Sequence, residues 1–291
     1  MTELQAKHPA RRAALRWRTA SGAGSHYFVA CSMRLRRGLR IGGVLLAAVC
    51  SASVFGQTLQ FDASAAANNS SGTSNTVASW TSVRGGVVMS PAHGQSNGWT
   101  RATLVTGAWQ GVNFATNTAS PLHAEGATNT VAAAFAVVRC TEPADLGTLL
   151  DAPASARFAT RHWPGEPRLL ALSQLGSATL YRVNGVATNR LEAAEHYQLV
   201  EVSWPEPVAL ADIYVGGAVP SPAWRRAWPG ELAELIFLGS TPSSAEREAL
   251  GYYAARKWGA PVDASGTNAR EALDGLGVSH GTLFTLILII R

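Results

Sequence analysis

The chain has 291 residues, of which 47% are hydrophobic and 15% charged, with 24 Lys and Arg against 19 Asp and Glu. This apolar content is enough for a sizeable core and excludes a largely disordered chain, while three cysteines exclude a disulfide-dense scaffold. Nine of the basic side chains and one acid lie in residues 1–40, so residues 57–291 carry 15 basic and 18 acidic side chains. Nucleic-acid binding is therefore not expected as the main function of residues 57–291.

Residues 1–56 are predicted to be a leader that contains a secretory signal peptide, with the true start at Met33. Arginines precede a short apolar run, Ile41–Cys50, and small residues follow it, which is the three-part pattern of such peptides. We expect cleavage near residue 56 and export to the periplasm, the cell surface or the medium. The apolar run is shorter than the roughly 20 residues of a membrane-spanning helix, so no transmembrane helix is expected after cleavage. A lipoprotein modified at Cys50 and a surface-exposed amphipathic arm remain as alternatives.

Ten short strands are predicted after the leader, because runs rich in Val, Leu, Thr and aromatic residues are bounded by Gly, Pro, Asn or Ser. They are Leu59–Asp62, Val77–Val83, Ala102–Thr106, Gly111–Phe114, Val131–Arg139, Arg168–Ser173, Ala178–Asn184, His196–Trp204, Asp212–Gly216 and Glu231–Leu238. Asn184-Gly185 predicts a type I′ hairpin turn, since both residues tolerate positive φ. No regular alternation of strands with helices is seen, which favours an antiparallel two-sheet sandwich over a parallel doubly wound sheet.

One helix is predicted after the last strand. Ser243 and Glu246 have the spacing of a capping box, and Gly259 followed by Pro261 is typical of a helix end. An apolar stripe at spacings of three and four is formed by Leu250, Tyr253, Ala254 and Trp258.

Several motifs in this order resemble those of bacterial concanavalin A-like (laminin-G-like jelly-roll) domains. They are Phe61–Ser64 with Val77–Trp80, Ala134–Arg139, Tyr181–Gly185, Gly230–Leu238, Thr241–Arg247 and Gly251–Gly259. The resemblance implies an all-β fold over residues 57–260, a two-sheet antiparallel jelly-roll sandwich with one short C-terminal helix. It also implies a secreted or cell-surface protein of a family whose members commonly bind carbohydrate or mediate adhesion.

The function expected from the resemblance and the residues together is a non-catalytic glycan-binding or adhesion module. A structural surface protein without a sugar ligand is the first alternative, and a glycoside hydrolase is a weaker one. Fold alone does not assign a ligand, so polysaccharide or another glycan is a partner expected only by class.

Aromatic residues in loops are the candidate ligand-binding residues, because indole rings stack on the apolar faces of sugars while polar neighbours bind the hydroxyls. The candidates are Trp163, Trp224, Trp99, His162, Glu166 and Arg225. The tryptophans within regular elements, Trp80, Trp204 and Trp258, are predicted to lie in the core, and Trp228 to close one end of the sandwich. Convergence of Trp163 and Trp224 on one groove would support sugar binding.

No catalytic residues are predicted. Glycoside hydrolysis needs two carboxylates on either side of the sugar bond, and the nearest candidates are Glu231 and Glu234. A separation of three in a regular strand directs two side chains to opposite faces, which places Glu234 on the face of Leu232, Ile236 and Leu238. Glu234 is therefore interpreted as a structural carboxylate, hydrogen-bonded beneath the last helix or a loop.

No cofactor and no metal site is predicted. The aspartates are dispersed and no calcium-binding loop motif occurs, so calcium stays open as a ligand that no motif supports. The seven histidines contain no pair four residues apart, which disfavours zinc.

Residues 261–291 are predicted to be a tail of uncertain structure. A linker rich in Ala, Gly, Asp and Asn precedes the apolar run Thr282–Ile290. The run is interpreted as a final strand, a docking segment or, preferentially, the start of something lost to truncation or frameshift. Because the helix has its own cap and stop, we expect the core to close before the tail and the tail to be dispensable for folding.

Overall fold

The computed structural model describes residues 58–68, 75–92, 99–105, 110–114, 119–141, 147–152, 156–163, 166–171, 180–218, 226–281 and 283. The chain divides into two units, Met1–Ser51 and Ala52–Arg291, and all the described residues belong to the second. The predicted leader and the apolar run from residue 284 onward lie outside the described residues.

The described part of the chain is mostly β-structure, with fifteen strands and two short helices. In chain order the elements are β1 Leu59–Asn68, β2 Val77–Arg84, β3 Val88–Pro91, β4 Thr100–Arg101, β5 Thr103–Val105, β6 Gly111–Asn113, β7 Ala119–Ser120, β8 Leu122–Cys140, β9 Gly147–Ala152, β10 Ala156–Trp163, β11 Glu166–Ala171, β12 Leu180–Val183, β13 Val186–Ala187, β14 Gln198–Val215, β15 Gly230–Leu238, α1 Ser244–Trp258 and α2 Ala269–Leu276. The prediction of a mainly β-fold with a short helix is confirmed, and the second helix was not predicted.

Five strands close into a ring in the order β8–β3–β2–β1–β15, with β15 returning to β8. The ring closes because β8 is 19 residues long and pairs with β3 near its start and with β15 near its end. Leu122 and His123 pair with β3, whereas residues 133–140 pair with β15. The hydrogen bonds therefore form a five-stranded barrel, where the sequence led us to expect two separate sheets.

Strand β14 also pairs with β8 and bends twice along its length. Its register against β8 shifts between Ser203 and Val208, a stretch that contains two prolines, and again between Ala211 and Ile213. Prolines cannot donate to the ladder and are tolerated at such bulges. At the second bend Asp212 has a φ of 51°, and its Oδ1 accepts a hydrogen bond of 2.9 Å from the backbone of Gly126. Two predicted strands, His196–Trp204 and Asp212–Gly216, are thus parts of one bent strand.

The β12–β13 hairpin and helix α1 form as predicted. Asn184 and Gly185 have φ of 51° and 81° at the hairpin turn. At the start of α1, Ser243 Oγ accepts from Glu246 N and Glu246 accepts from Ser243 N. Gly259 ends the helix with a φ of 68°. Within the described residues, neither helix combines the length and apolar character needed to cross a membrane.

Two hydrophobic cores lie on opposite faces of β8, β14 and β15. The main core contains Trp80, Trp204 and Trp228, and the second core, which α1 and α2 cover, contains Trp258. All four tryptophans are buried, so the prediction that Trp80, Trp204 and Trp258 belong to the core is confirmed.

Residues 262–281 pack against the second core, which differs from the expectation that the core closes before them. Helix α2 buries Ala269, Leu273 and Leu276. The chain is further tied to β1, because Ser279 N donates to Gln60 Oε1 at 2.7 Å and Gln60 Nε2 donates to Ser279 O at 3.0 Å. The three buried residues are four and then three positions apart, which is the spacing of one face of a helix. This pattern was missed in the sequence because most residues of the segment are small or polar.

Candidate functional site

Three of the predicted ligand-binding residues lie together at the end of a hairpin rather than in an open loop. His162 and Trp163 end β10, Glu166 begins β11, and Trp163 is paired with Glu166 across the two strands. Strand β11 is at one end of the strand order of the main sheet. The backbone therefore places the three residues at one hairpin end, while their side chains lie outside the described part of the structure.

The other predicted ligand-binding residues are Trp99, Trp224 and Arg225, which belong to other parts of the chain. Trp99 is half-buried and directly precedes β4. Trp224 and Arg225 lie outside the described residues. The convergence of Trp163 and Trp224 on one groove therefore stays a prediction.

Glu234 lies beneath α1 with no exposed surface. Its Oε1 accepts hydrogen bonds from Tyr253 OH at 2.7 Å and from Gln60 Nε2 at 2.5 Å. Its Oε2 accepts from Trp258 Nε1 at 2.5 Å and from Lys257 Nζ at 3.1 Å. Both carboxylate oxygens are satisfied, as burial of a charged group requires, so Glu234 links β15 to α1 and β1.

The ammonium group of Lys257 forms ion pairs with two carboxylates in this cluster. Lys257 Nζ lies 2.6 Å from Asp62 Oδ2 and 3.1 Å from Glu234 Oε2. Burial raises the pKa of Glu234, Lys257 opposes that rise, and the negative charge of Asp62 adds to it. Burial and the adjacent carboxylate of Glu234 raise the pKa of Tyr253. Tyr253 therefore stays a neutral hydrogen-bond donor.

Glu231 and Glu234 lie on the same face of β15, contrary to the prediction from their spacing. A bulge at Ala233 shifts the register of β15 against β8. Leu232 pairs with Val138 and Glu234 pairs with Val137, so Ala233 is an extra residue without a partner of its own in β8. The alternation of faces is interrupted there. Leu232 consequently packs in the main core, whereas Ile236 and Leu238 pack in the second core on the side of Glu234.

The two glutamates do not form an open acid pair. Glu231 is 4% exposed and accepts hydrogen bonds from Tyr197 OH at 2.8 Å and from Arg139. Burial first, and then Glu231, raise the pKa of Tyr197. A glycosidase pair must flank a sugar bond with access to substrate and water, whereas both of these carboxylates are enclosed and engaged by donors.

A pocket of about 250 Å³ lies between α1, the β12–β13 turn and the segment after α1. It was not predicted from the sequence. Its lining residues are Phe135, Arg182, Gly185, Leu199, Glu201, Ser244, Arg247, Glu248, Gly251, Val262, Asp263 and Ala264. Gly251 lets the following segment approach the helix, because a Cβ at that position would lie 2.8 Å from Val262 Cγ1.

A row of three side chains across neighbouring strands contributes to the pocket. Phe135 of β8 pairs with Glu201 of β14, and Glu201 pairs with Arg182 of β12. Arg247 reaches this row from α1, with its Nε 2.7 Å from Glu201 Oε1. The residues come from four separate parts of the chain, so no sequence motif marks them.

Among the described residues, no three His, Cys, Asp or Glu side chains are grouped closely enough to hold a metal ion. Comparison of the chain with family models, with curated proteins and with solved structures gave no match. Functional inference therefore rests on the residues and geometry described above.

Proposed function

We propose that this chain is an exported, non-catalytic module that binds glycans or mediates surface adhesion. The resemblance of its motifs to concanavalin A-like domains supports the proposal, and the mostly antiparallel β-fold is compatible with it.

The observation that carries the proposal is the end of the β10–β11 hairpin. There an indole-bearing residue, Trp163, is paired with a carboxylate-bearing residue, Glu166, and His162 is adjacent. An aromatic residue next to polar residues is the combination that sugar recognition requires, because sugars present both apolar C–H faces and hydroxyl groups. Hairpin ends also carry binding residues more often than buried strands do.

The burial of Glu231 and Glu234 supports a binding role over glycoside hydrolysis. Both carboxylates are occupied by hydrogen-bond donors from the protein itself. Neither is then positioned as a general acid or a nucleophile.

A glycan array with the folded protein tests this function. We expect binding to at least one glycan, and we expect Trp163→Ala to weaken it by about tenfold or more. Val186→Ala is the matched control, since Val186 is an exposed apolar residue of another hairpin. Absence of binding by the folded protein would favour a structural surface protein, and release of reducing sugar would favour a glycosidase.

Export is tested separately by mass spectrometry of protein secreted from a bacterial host. We expect a new N-terminus near residue 56. An intact chain from Met1 that remains in the cytoplasm would contradict the proposed signal peptide.

A further inference from the structure

The pocket beside α1 contains a buried carboxylate whose two oxygens differ in their partners. Glu201 is 3% exposed. Its Oε1 accepts from Arg247 Nε at 2.7 Å and from Ser203 Oγ at 2.8 Å. Its Oε2 accepts no hydrogen bond in the described part of the chain but forms an ion pair with Arg182, whose Nε is 3.7 Å away, beyond hydrogen-bond distance.

The guanidinium of Arg182, in the same pocket, makes few hydrogen bonds among the described residues. Its Nε is buried and makes no hydrogen bond among the described residues. Its Nη1 makes one long hydrogen bond, 3.4 Å, to the carbonyl oxygen of Gly185. The ion pair of Arg182 and Glu201 therefore keeps hydrogen-bonding capacity on both sides, because the Arg182 side chain is 31% exposed and Glu201 Oε2 accepts no hydrogen bond among the described residues.

A group that both donates and accepts can bind both members of this pair. An anionic group would bind Arg182 but would meet the carboxylate of Glu201, and Glu248 and Asp263 add negative charge to the lining. A cationic group would bind these carboxylates but would meet Arg182 and Arg247. A hydroxyl accepts from the guanidinium and donates to the carboxylate.

The rest of the pocket suits a small ring with several hydroxyls. Phe135, Leu199 and Val262 provide apolar surface for C–H groups, and Glu248 and Asp263 add carboxylates. Its volume of about 250 Å³ is just below the roughly 300–1,000 Å³ of pockets for drug-sized ligands. A single sugar residue is of the appropriate size class.

We infer that this pocket binds one hydroxyl-rich monosaccharide unit, with a hydroxyl held between Arg182 and Glu201. The inference rests on the proposed glycan-binding function and gives it a second site, distinct from the β10–β11 hairpin. Helix α1, β14 and the segment 262–264 together form the site.

Saturation-transfer NMR with the full folded chain tests the inference, using glucose, galactose, mannose and N-acetylglucosamine as probes. Acetate and methylammonium serve as anionic and cationic probes. We expect at least one sugar to bind and both ions to bind at least about tenfold more weakly. Preferential binding of either ion, or binding of no sugar, would overturn the inference.

Two substitutions locate the site. Arg182→Met removes the donor, and Ala264→Trp puts a bulky side chain at a lining position of the pocket without changing either charged partner. Each is expected to weaken sugar binding by about tenfold or more. Arg190→Met is the matched control, because Arg190 is exposed and pairs with Glu192 outside the pocket.

The Trp163→Ala variant separates this site from the proposed function. Sugar binding that persists in Trp163→Ala and is lost in Ala264→Trp supports the pocket. Glycan binding that is lost in Trp163→Ala and unchanged in both pocket variants overturns the pocket and leaves the proposed function in place. Because Ala264→Trp leaves Arg182 intact, the test remains decisive even if Arg182→Met does not fold.

Discussion

Burial of Glu234 shows how a single carboxylate can connect three elements. Gln60 of β1 and Tyr253, Lys257 and Trp258 of α1 all donate to this side chain of β15. Each carboxylate oxygen accepts from two of these donors, so replacing one donor leaves its oxygen with a single hydrogen bond in a site closed to water, which destabilises the buried charge. The cluster therefore sets where α1 lies on the sheet.

Loss of Lys257 is expected to make stability more dependent on pH. Since burial raises the pKa of Glu234 in the folded state, the folded protein binds a proton more tightly there than the unfolded chain, whose glutamate titrates near pH 4.3. Stability contributed by this group is present at low pH and falls as pH rises through the raised pKa. Lys257→Met removes the opposing positive charge and raises the pKa of folded Glu234 further, so this fall should become larger and extend to higher pH.

Thermal melts from about pH 4 to pH 9 measure the effect. Glu234→Gln in the Lys257→Met background should abolish the added pH dependence, and Arg256→Met, an exposed neighbour on α1, should behave as the unaltered protein. Parallel curves of melting temperature against pH for the unaltered protein and Lys257→Met would contradict the prediction.

Among the elements, α2 has the clearest consequence for stability. Leu273 has no exposed surface and packs in the second core. Leu273→Ala is expected to cost about 2–5 kcal/mol, because it removes buried methyl groups and leaves a cavity. Urea unfolding measures this change, and Arg270→Ala on the exposed side of α2 should stay within about 0.5 kcal/mol.

Deletion of residues 263–291 removes α2 and Ser279 together, and so tests whether this segment stabilises the fold. The sequence composition suggested an unchanged melting temperature, whereas the packing of α2 and the hydrogen bonds between Ser279 and Gln60 predict a lower one. A deletion variant with an unchanged melting temperature would show that α2 does not stabilise the sheet. Leu273→Ala would then be expected to have no effect either.

For the whole molecule, closure of the five-stranded ring depends on the approach of β15 to β8. Gly230 pairs with Cys140, and a Cβ at Gly230 would come within 1.9 Å of the carbonyl oxygen of Arg139. Backbone atoms cannot move aside without disturbing the ladder. Gly230→Ala should therefore destabilise the protein by roughly 1–3 kcal/mol or more.

Gly275→Ala provides the matched control for this prediction. Gly275 lies in α2, and apart from its chain neighbours and the backbone of its own helix, no atom of the described residues is within 4 Å of the position that an alanine methyl group would take there. Alanine at this position should be neutral or stabilising by roughly 0.5–1 kcal/mol. Both variants are compared by urea denaturation. Equal stability of Gly230→Ala and the unaltered protein would mean that the ring can open at this pairing without cost.

Local signals in the sequence were sufficient for the elements that depend on neighbouring residues. The capping box of α1, its glycine end and the Asn184-Gly185 turn all form as predicted, because each is determined by interactions within a few residues. The burial of Trp80, Trp204 and Trp258 also followed from their positions in regular elements. Secretion and glycan binding, which rest on the leader and on resemblance, stay predictions.

Features that depend on distant residues were decided by the tertiary structure. The bulge at Ala233 exists only in the pairing of β15 with β8, and it alone places Glu231 and Glu234 on one face. Ring closure, likewise, depends on β8 pairing with β3 at one end and with β15 at the other, and the pocket assembles Arg182, Glu201 and Arg247 from separate elements. Strand periodicity specifies alternation within a regular strand, but where a strand shifts register and what it pairs with are set by long-range contacts.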